Sequence, residues 1–300
     1  MNRRNTPRIS FIGFGEAGQA IASGLKDAGV ERIAAWDILF PEQAGAPLKA
    51  AGEAIGVRAA ASAADAVRET DIVISAVTAA SSVDAARSVA PHLKGNPYYL
   101  DINSVSPGRK KETARLLDER ARYVDVAVVA AIHPARHRTP LLIAGPHAEE
   151  ISPLLRELEM QLSVVGPETG SAAAIKMIRS VMIKGIEALT LECFMAASRA
   201  GVLEEVTASL KNNYPGLDWA KLSEYNLERM ASHGERRAAE MEESAATLRE
   251  LGLDPLMVEA TVQRQREMGT IGKVAPVKAS LTQGRAAILR AIGDAKKPSH

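Results

Sequence analysis

The sequence predicts a doubly wound α/β domain with a parallel sheet over residues 1–166, followed by an all-α domain over residues 167–300. Short β-branched runs alternate with helical patterns as far as Gly166-Pro167, a glycine cluster sits between the first run and the first helix, and no strand signal follows Pro167. Strands spaced by helices pair in parallel, because a tight turn cannot close a parallel pair.

Arg8 to Phe14 alternates and then turns apolar, as a strand buried on both faces does, and Glu16 to Ala28 continues with helical spacing. Arg32 to Trp36 reads as a strand, Pro41 to Ala51 as a helix, Val57 to Ala59 as a short strand, and Ser62 to Glu69 as a helix capped by Ser62. Asp71 to Val77 is a β-branched strand with a helix after it to about Ala90. Tyr98 to Ile102 is a strand ahead of a helix over Pro107 to Ala121, which Ser106 caps and Pro107 opens. Strands over Tyr123 to Val129 and Leu141 to Ala144, a helix from His147 to Met160 and a strand over Leu162 to Val165 complete the first half. Helical periodicity then runs unbroken by proline from Ser171 to Ala200, longer than most globular helices, so this segment should run along or through the domain junction. Later helices are expected to break at Gly201, Tyr214-Pro215-Gly216, His233-Gly234 and Gly252 to Pro255, and Pro298-Ser299-His300 to fray.

Composition narrows the function classes. Thirty-seven basic residues against 36 acidic ones leave a net charge of +1, too little field to gather a nucleic acid or an anionic membrane as partner. Apolar stretches are cut by charges well short of the roughly 18–20 residues of a membrane span, and Met1 to Arg8 is polar with no signal-peptide core behind it. Cys193 is the sole cysteine, which excludes an internal disulfide. Within Leu191-Glu192-Cys193-Phe194-Met195 it reads as a buried thiol suited to a reducing cytoplasm.

Gly13-Phe14-Gly15-Glu16-Ala17-Gly18 fits the G-x-G-x-x-G fingerprint of a Rossmann dinucleotide site, in the required place between strand and helix. Gly13 makes the tight turn, Gly15 admits the pyrophosphate, Gly18 lets helix and strand pack, and the helix N-terminus favours phosphate. Asp37, at the end of the second strand, can accept both ribose hydroxyls of NAD and would repel the 2′-phosphate of NADP. No arginine or lysine follows within Ile38 to Ala46 to offset it, so NAD is the expected cofactor, with NADP as the alternative. Two more strand ends, Val77-Thr78 and Asn103-Ser104, are expected to line the nicotinamide side, since ligands bind beyond the carboxyl ends of such strands. No metal site is expected: His133 and His137 lack a carboxylate or cysteine nearby to complete a ligand set.

On these residues, with Asp101-Ile102-Asn103-Ser104-Val105-Ser106-Pro107, the Asp125 strand and Gly170-Ser171-Ala172-Ala173-Ala174-Ile175-Lys176, the chain resembles the β-hydroxyacid dehydrogenase superfamily. That superfamily includes 3-hydroxyisobutyrate, tartronate semialdehyde and 6-phosphogluconate enzymes, and the chain is most similar to its NAD-binding phosphogluconate dehydrogenase-like branch. The resemblance implies an oxidoreductase that moves hydride between a nicotinamide cofactor and a small hydroxy acid or its carbonyl partner. It implies Lys176 as general acid/base, and a homodimer through the helical domain. Ser180 stands where relatives carry a substrate-contacting asparagine, one helical turn beyond Lys176. The substrate-binding Ser-Gly-Gly of characterised members is replaced by Val129-Ala130-Ala131.

His133, Arg136 and Arg138, in the loop after that altered strand, are candidates for a replacement anion site, with an exposed polar connection as the other reading. Gly234-Glu235-Arg236-Arg237 is a second basic segment, read either as a cofactor contact or as surface ion pairs. Oxidative decarboxylation of a sugar acid, imine reduction and a non-catalytic cofactor-binding module remain open alternatives.

Overall fold

The computed structural model describes residues 6–296, so the expected fraying at Pro298-Ser299-His300 and the polar start before Thr6 lie outside the described residues. Two compact units divide the chain, Met1–Lys176 and Met177–His300. The division falls inside the helix that spans Ser171–Ala200.

Among the described residues the first unit holds eight strands: β1 (Ile9–Ile12), β2 (Ile33–Trp36), β3 (Arg58–Ala59), β4 (Ile72–Ser75), β5 (Tyr98–Asp101), β6 (Arg122–Val128), β7 (Leu141–Ala144) and β8 (Leu162–Val164). Their order in the sheet is β3-β2-β1-β4-β5-β6-β7-β8. From β3 to β6 all neighbours are parallel, and the order reverses between β1 and β4, where a crevice opens at the carboxyl ends. The expectation of an all-parallel sheet needs one correction. β7 runs antiparallel to β6, because the connection between them carries no crossover helix, and β8 is parallel to β7.

Six helices connect these strands: α1 (Glu16–Asp27), α2 (Ala46–Ala54), α3 (Ala63–Ala66), α4 (Ser82–Val89), α5 (Pro107–Leu117) and α6 (Ala148–Glu157). Strand alternation divides the core by face. Phe11, Ile72, Ile74, Leu100 and Val126 pack with Ile21 and Leu25 of α1 and Ile151 and Leu155 of α6, while Val73, Tyr99 and Tyr123 pack with α3, α4 and α5. Ser62 caps α3 by accepting the Asp65 N–H at 3.1 Å, as expected, though the helix stops at Ala66. α2 begins later than the expected Pro41, with Pro47 in its first turn, where a missing N–H costs nothing.

The long helix α7 (Ser171–Ala200) leads to α8 (Leu203–Asn213), α9 (Trp219–Glu250), α10 (Leu256–Ile271), α11 (Ala275–Ser280) and α12 (Arg285–Ala295). Leu191 and Phe194 of α7 join Leu227, Met230, Met268, Val277, Ile288 and Leu289 in the second unit's core. Two expectations fail here. α9 does not break at His233-Gly234: a Cβ on Gly234 would stand 2.2 Å from the Gln265 carbonyl oxygen, so this glycine serves helix contact rather than a turn. Cys193 is exposed, because Leu191 and Phe194 take the core-facing stripe and the intervening positions rotate outward. Among the described residues no helix is long and apolar enough to cross a membrane.

Candidate active site

The three fingerprint glycines occupy distinct environments. Gly13 has φ +88°, and a Cβ there would lie 2.4 Å from the Ala76 carbonyl oxygen. A Cβ on Gly18 would lie 2.8 Å from the Gly13 carbonyl oxygen, so close packing of α1 on the turn needs its absence. Gly15 is the opposite case: nothing lies within 4 Å of its Cβ position, and the residue is exposed with an ordinary φ of −72°. No side chain caps α1, whose first-turn N–H groups remain as anion donors beside this open space. These residues fit a dinucleotide pyrophosphate. Glu16 is exposed and Ala17 half-buried beside it, whereas the Phe14 ring is buried edge-to-face against Phe11 and Phe40, so Phe14 offers the site only backbone.

Asp37 follows β2 directly. Its Oδ2 accepts the Phe14 N–H at 2.7 Å and its Oδ1 the Leu39 N–H at 3.0 Å, which leaves further lone pairs for ribose hydroxyls. The adjacent Ile38 is 81% exposed, an apolar platform of the kind an adenine face covers. Sequence reasoning missed it, because Ile38-Leu39-Phe40 has the look of a buried run.

On the other side of the crevice, Asn103 is buried and its amide is already engaged. Oδ1 accepts the Val77 N–H at 2.7 Å and Nδ2 donates to Ser75 Oγ at 2.9 Å, so Asn103 ties the end of β5 to the end of β4 and shapes the wall there. Thr78 is exposed, with its hydroxyl donating to Ser81 at 3.1 Å. Ser104 is half-buried and accepts the Lys176 ammonium at 2.5 Å, which places that amine at the carboxyl end of β5.

Behind this pair lies a buried polar cluster whose members the sequence did not connect. Lys110 Nζ, on α5, reaches the Asp101 carbonyl oxygen at 2.5 Å, Asp101 Oδ1 at 3.1 Å, the Val126 carbonyl at 3.3 Å and Asp125 Oδ1 at 3.5 Å. Tyr123 donates its hydroxyl to Asp101 Oδ2 at 2.8 Å, and burial next to that carboxylate holds the phenol well above its usual range. Asp125 Oδ2 accepts the N–H groups of Gly170 and Ala173, each at 3.1 Å, and so caps α7 from across the unit. Burial pushes the Asp125 carboxyl up, while Lys110 and the two N–H donors pull it back. No local sequence signal connects them: Asp101 and Asp125 become partners only through the register of β5 and β6.

The basic loop lies elsewhere. Arg136 pairs with Asp27 at 2.6 Å and donates to Ser23 at 3.0 Å, both on the later turns of α1, and Arg138 pairs with Glu159. His137 is buried against Gly24 of α1, and His133 is exposed. The structure therefore does not bring this loop to the crevice as an anion site; its guanidinium groups fasten it to α1 and to the turn after α6. In the second unit, Ser180 is buried and accepts from Lys184 at 3.3 Å, and Lys184 pairs with Glu240 at 2.9 Å. Arg236 pairs with Glu240, and Arg237 forms a buried pair with Glu187, so the second basic segment is consumed by ion pairs. Among the described residues no cluster of three or more His, Cys, Asp or Glu side chains is placed to hold a metal ion.

Comparison with known proteins agrees with this geometry. A conserved hypothetical protein from Sinorhizobium meliloti 1021 is 36% identical and superposes with a TM-score of 0.78 over 98% of each chain. An NAD-dependent L-serine dehydrogenase from Pseudomonas aeruginosa is 26% identical over 227 residues, 73% of each chain. The 3-hydroxyisobutyrate dehydrogenase of Mycobacterium tuberculosis shares the fold, with a TM-score of 0.73 at 15% identity over 98% of this chain and 100% of that one. A domain of unknown function (DUF1932) matches residues 197–268. The NAD binding domain of 6-phosphogluconate dehydrogenase matches residues 8–166, over half of the chain, and it is to this family of NAD-binding proteins that the chain belongs.

Proposed function

We propose that the protein transfers hydride between NAD and a small hydroxy acid or its carbonyl partner, with Lys176 as general acid/base. The observation that carries the proposal is the Lys176–Ser104 hydrogen bond at the end of β5. It supports an amine held beside the strand ends that border a bound nicotinamide. NAD, when bound, supplies the hydride acceptor. Residues Gly13 to Gly18 hold its pyrophosphate and Asp37 its ribose, while Val77, Thr78, Asn103 and Ser104 border its reactive end. The neutral Lys176 amine takes the proton of the substrate hydroxyl at Nζ, and in the reverse direction the ammonium returns it to the carbonyl oxygen. Ser104 fixes where that amine stands. The likeness to an L-serine dehydrogenase supports a substrate of this small, polar class.

A phosphorylated sugar acid is less well supported, since Arg136 and Arg138 are already paired away from the crevice. Purified protein should be screened with NAD and NADP against L-serine, other 3-hydroxy acids, sugar acids and imines, following NADH formation or consumption. Turnover on a hydroxy acid is the expected result. Tight NAD binding with no turnover on any of them would overturn the enzymatic reading in favour of a cofactor-binding protein.

The same reading includes a cytoplasmic homodimer formed through the helical unit. It is supported by a lone exposed thiol, which suits a reducing compartment, and by Met182 and Leu189 of α7, which are 65% and 57% exposed. A monomer in sedimentation at micromolar concentration would overturn the assembly.

A further inference from the structure

Lys110 is the only cation in contact with two buried carboxylates, among the described residues of the cluster around Asp101 and Asp125. A lysine that is 1% exposed is unusual, and burial of an ammonium is tolerated only where partners replace its water. Here the partners are the last residue of β5 and the middle residue of β6 paired with it, so one side chain from α5 clamps the carboxyl end of β5 to its neighbour. The charge count leaves an excess of one negative charge among Lys110, Asp101 and Asp125. That excess is met by the α7 N-terminus, whose Gly170 and Ala173 N–H groups both point to Asp125 and whose dipole favours an anion.

The same first turn is held from a second side. Gly170 has φ +100°, and a Cβ there would lie 3.1 Å from Pro107 Cβ, so α7 begins in contact with the start of α5. Lys176 follows Ala173 by three residues on α7, and a helix that slips by one residue turns each side chain by about 100° and moves it about 1.5 Å. The N–H groups that Asp125 selects therefore decide whether Nζ of Lys176 meets Ser104.

We propose that Lys110 is a positioning residue for Lys176: by balancing the Asp101 and Asp125 carboxylates it maintains Asp125 as the double acceptor that sets the first turn of α7. The inference rests on the catalytic reading of Lys176 for its kinetic consequence, and on geometry alone for its structural one. Without the Lys110 charge, the Asp101 and Asp125 carboxylates would face each other unbalanced in a dry site, and their repulsion would push Asp125 off the position from which Oδ2 accepts both N–H groups. Asparagine at position 125 would remove the excess charge and still present a carbonyl oxygen to both N–H groups.

The test compares Lys110→Met, Asp125→Asn and the double variant in the full-length protein. Two readouts need no substrate: amide exchange across residues 170–177, and the rate at which Lys176 is acetylated by acetic anhydride, followed by mass spectrometry. Lys110→Met should speed exchange in that segment, change the Lys176 acetylation rate, and lower kcat about 10- to 100-fold, the scale of a misplaced catalytic group. NAD affinity should stay within about twofold, because the glycine loop belongs to β1 and α1. Adding Asp125→Asn should restore protection of the segment and most of the lost kcat, a rescue that general damage to the fold would not allow. Unchanged exchange and acetylation in Lys110→Met would overturn the proposal, as would a double variant no better than Lys110→Met. If the wild-type protein turns over no substrate, the exchange and acetylation results still decide the positioning role, and only the catalytic reading falls.

Discussion

The Asp37 carboxylate accepts the Phe14 amide at 2.7 Å, so the side chain proposed to hold the ribose also fastens the glycine loop to the end of β2. Two effects of Asp37→Ala follow. Loss of repulsion should narrow the preference for NAD over NADP, and loss of a charge-assisted bond should weaken NAD itself by about tenfold. Calorimetric titration with both cofactors measures the two effects separately. An alanine variant that binds NAD as the wild type does would show that the loop needs no anchor.

Gly13 and Gly15 should respond in opposite ways to an added side chain. Gly13→Ala places a Cβ against the Ala76 carbonyl in a left-handed conformation, so it should destabilise the fold by about 1–3 kcal/mol. Gly15→Val meets only open space and should fold normally, yet weaken NAD and NADP alike by tenfold or more, roughly 1.4 kcal/mol. Thermal unfolding and cofactor titration, run on both variants, separate a turn glycine from a ligand glycine. Normal cofactor binding by Gly15→Val would remove the pyrophosphate from this loop.

Lys176→Ala should leave NAD affinity nearly intact and lower kcat by roughly 10²–10⁴-fold, the usual contribution of a placed proton-transfer group. Ser104→Ala removes one hydrogen-bond partner of the amine and should cost about tenfold. Steady-state kinetics on a substrate found by the screen check both values. Equal losses in the two variants would make Ser104 a participant in the proton transfer rather than a support for the amine.

His137 predicts an acid sensitivity. It is 3% exposed, with no hydrogen-bond partner at either ring nitrogen, and burial holds its pKa below the ordinary histidine range. Arg138 and Arg136 push the same way, while Glu159 and Asp27 oppose them. As pH falls through about 6.5 the unfolded chain takes up a proton that the folded ring refuses, so protonation favours unfolding. The contribution is complete above that pH and drains away below it, down to the folded ring's own lower pKa. The wild-type Tm should fall between about pH 7.5 and 5.5, and His137→Leu should flatten part of that fall. An identical pH slope in the variant would assign the sensitivity to another group.

Much of the first unit was legible because its signals are local. Gly13 to Gly18 must turn, approach and pack within six residues, and each requirement left a glycine in the sequence. The cluster behind the site was not legible in that way, since Lys110, Asp101 and Asp125 acquire meaning only once β5 and β6 are in register and α7 returns to Asp125. The basic loop misled for a related reason. Arg136 and Ser23 are 113 residues apart, and no periodicity in the loop announces that α1 will neutralise it. Ser104 and Lys176 were each recognisable as candidates, one from its place at a strand end and the other through family resemblance. Their direct contact is a property of the folded chain.

The glycines where α9 meets α10 and its C-cap carry a consequence for how this protein can change over evolutionary time. A Cβ on Gly234 would meet the Gln265 carbonyl at 2.2 Å, one on Gly269 the Glu235 amide at 2.5 Å, and one on Gly272 the Ala231 carbonyl at 2.1 Å. Backbone touches backbone along that seam, so even a methyl group would have to pry the helices apart. A lineage that lost one of these glycines would have to re-space both helices to keep the unit folded.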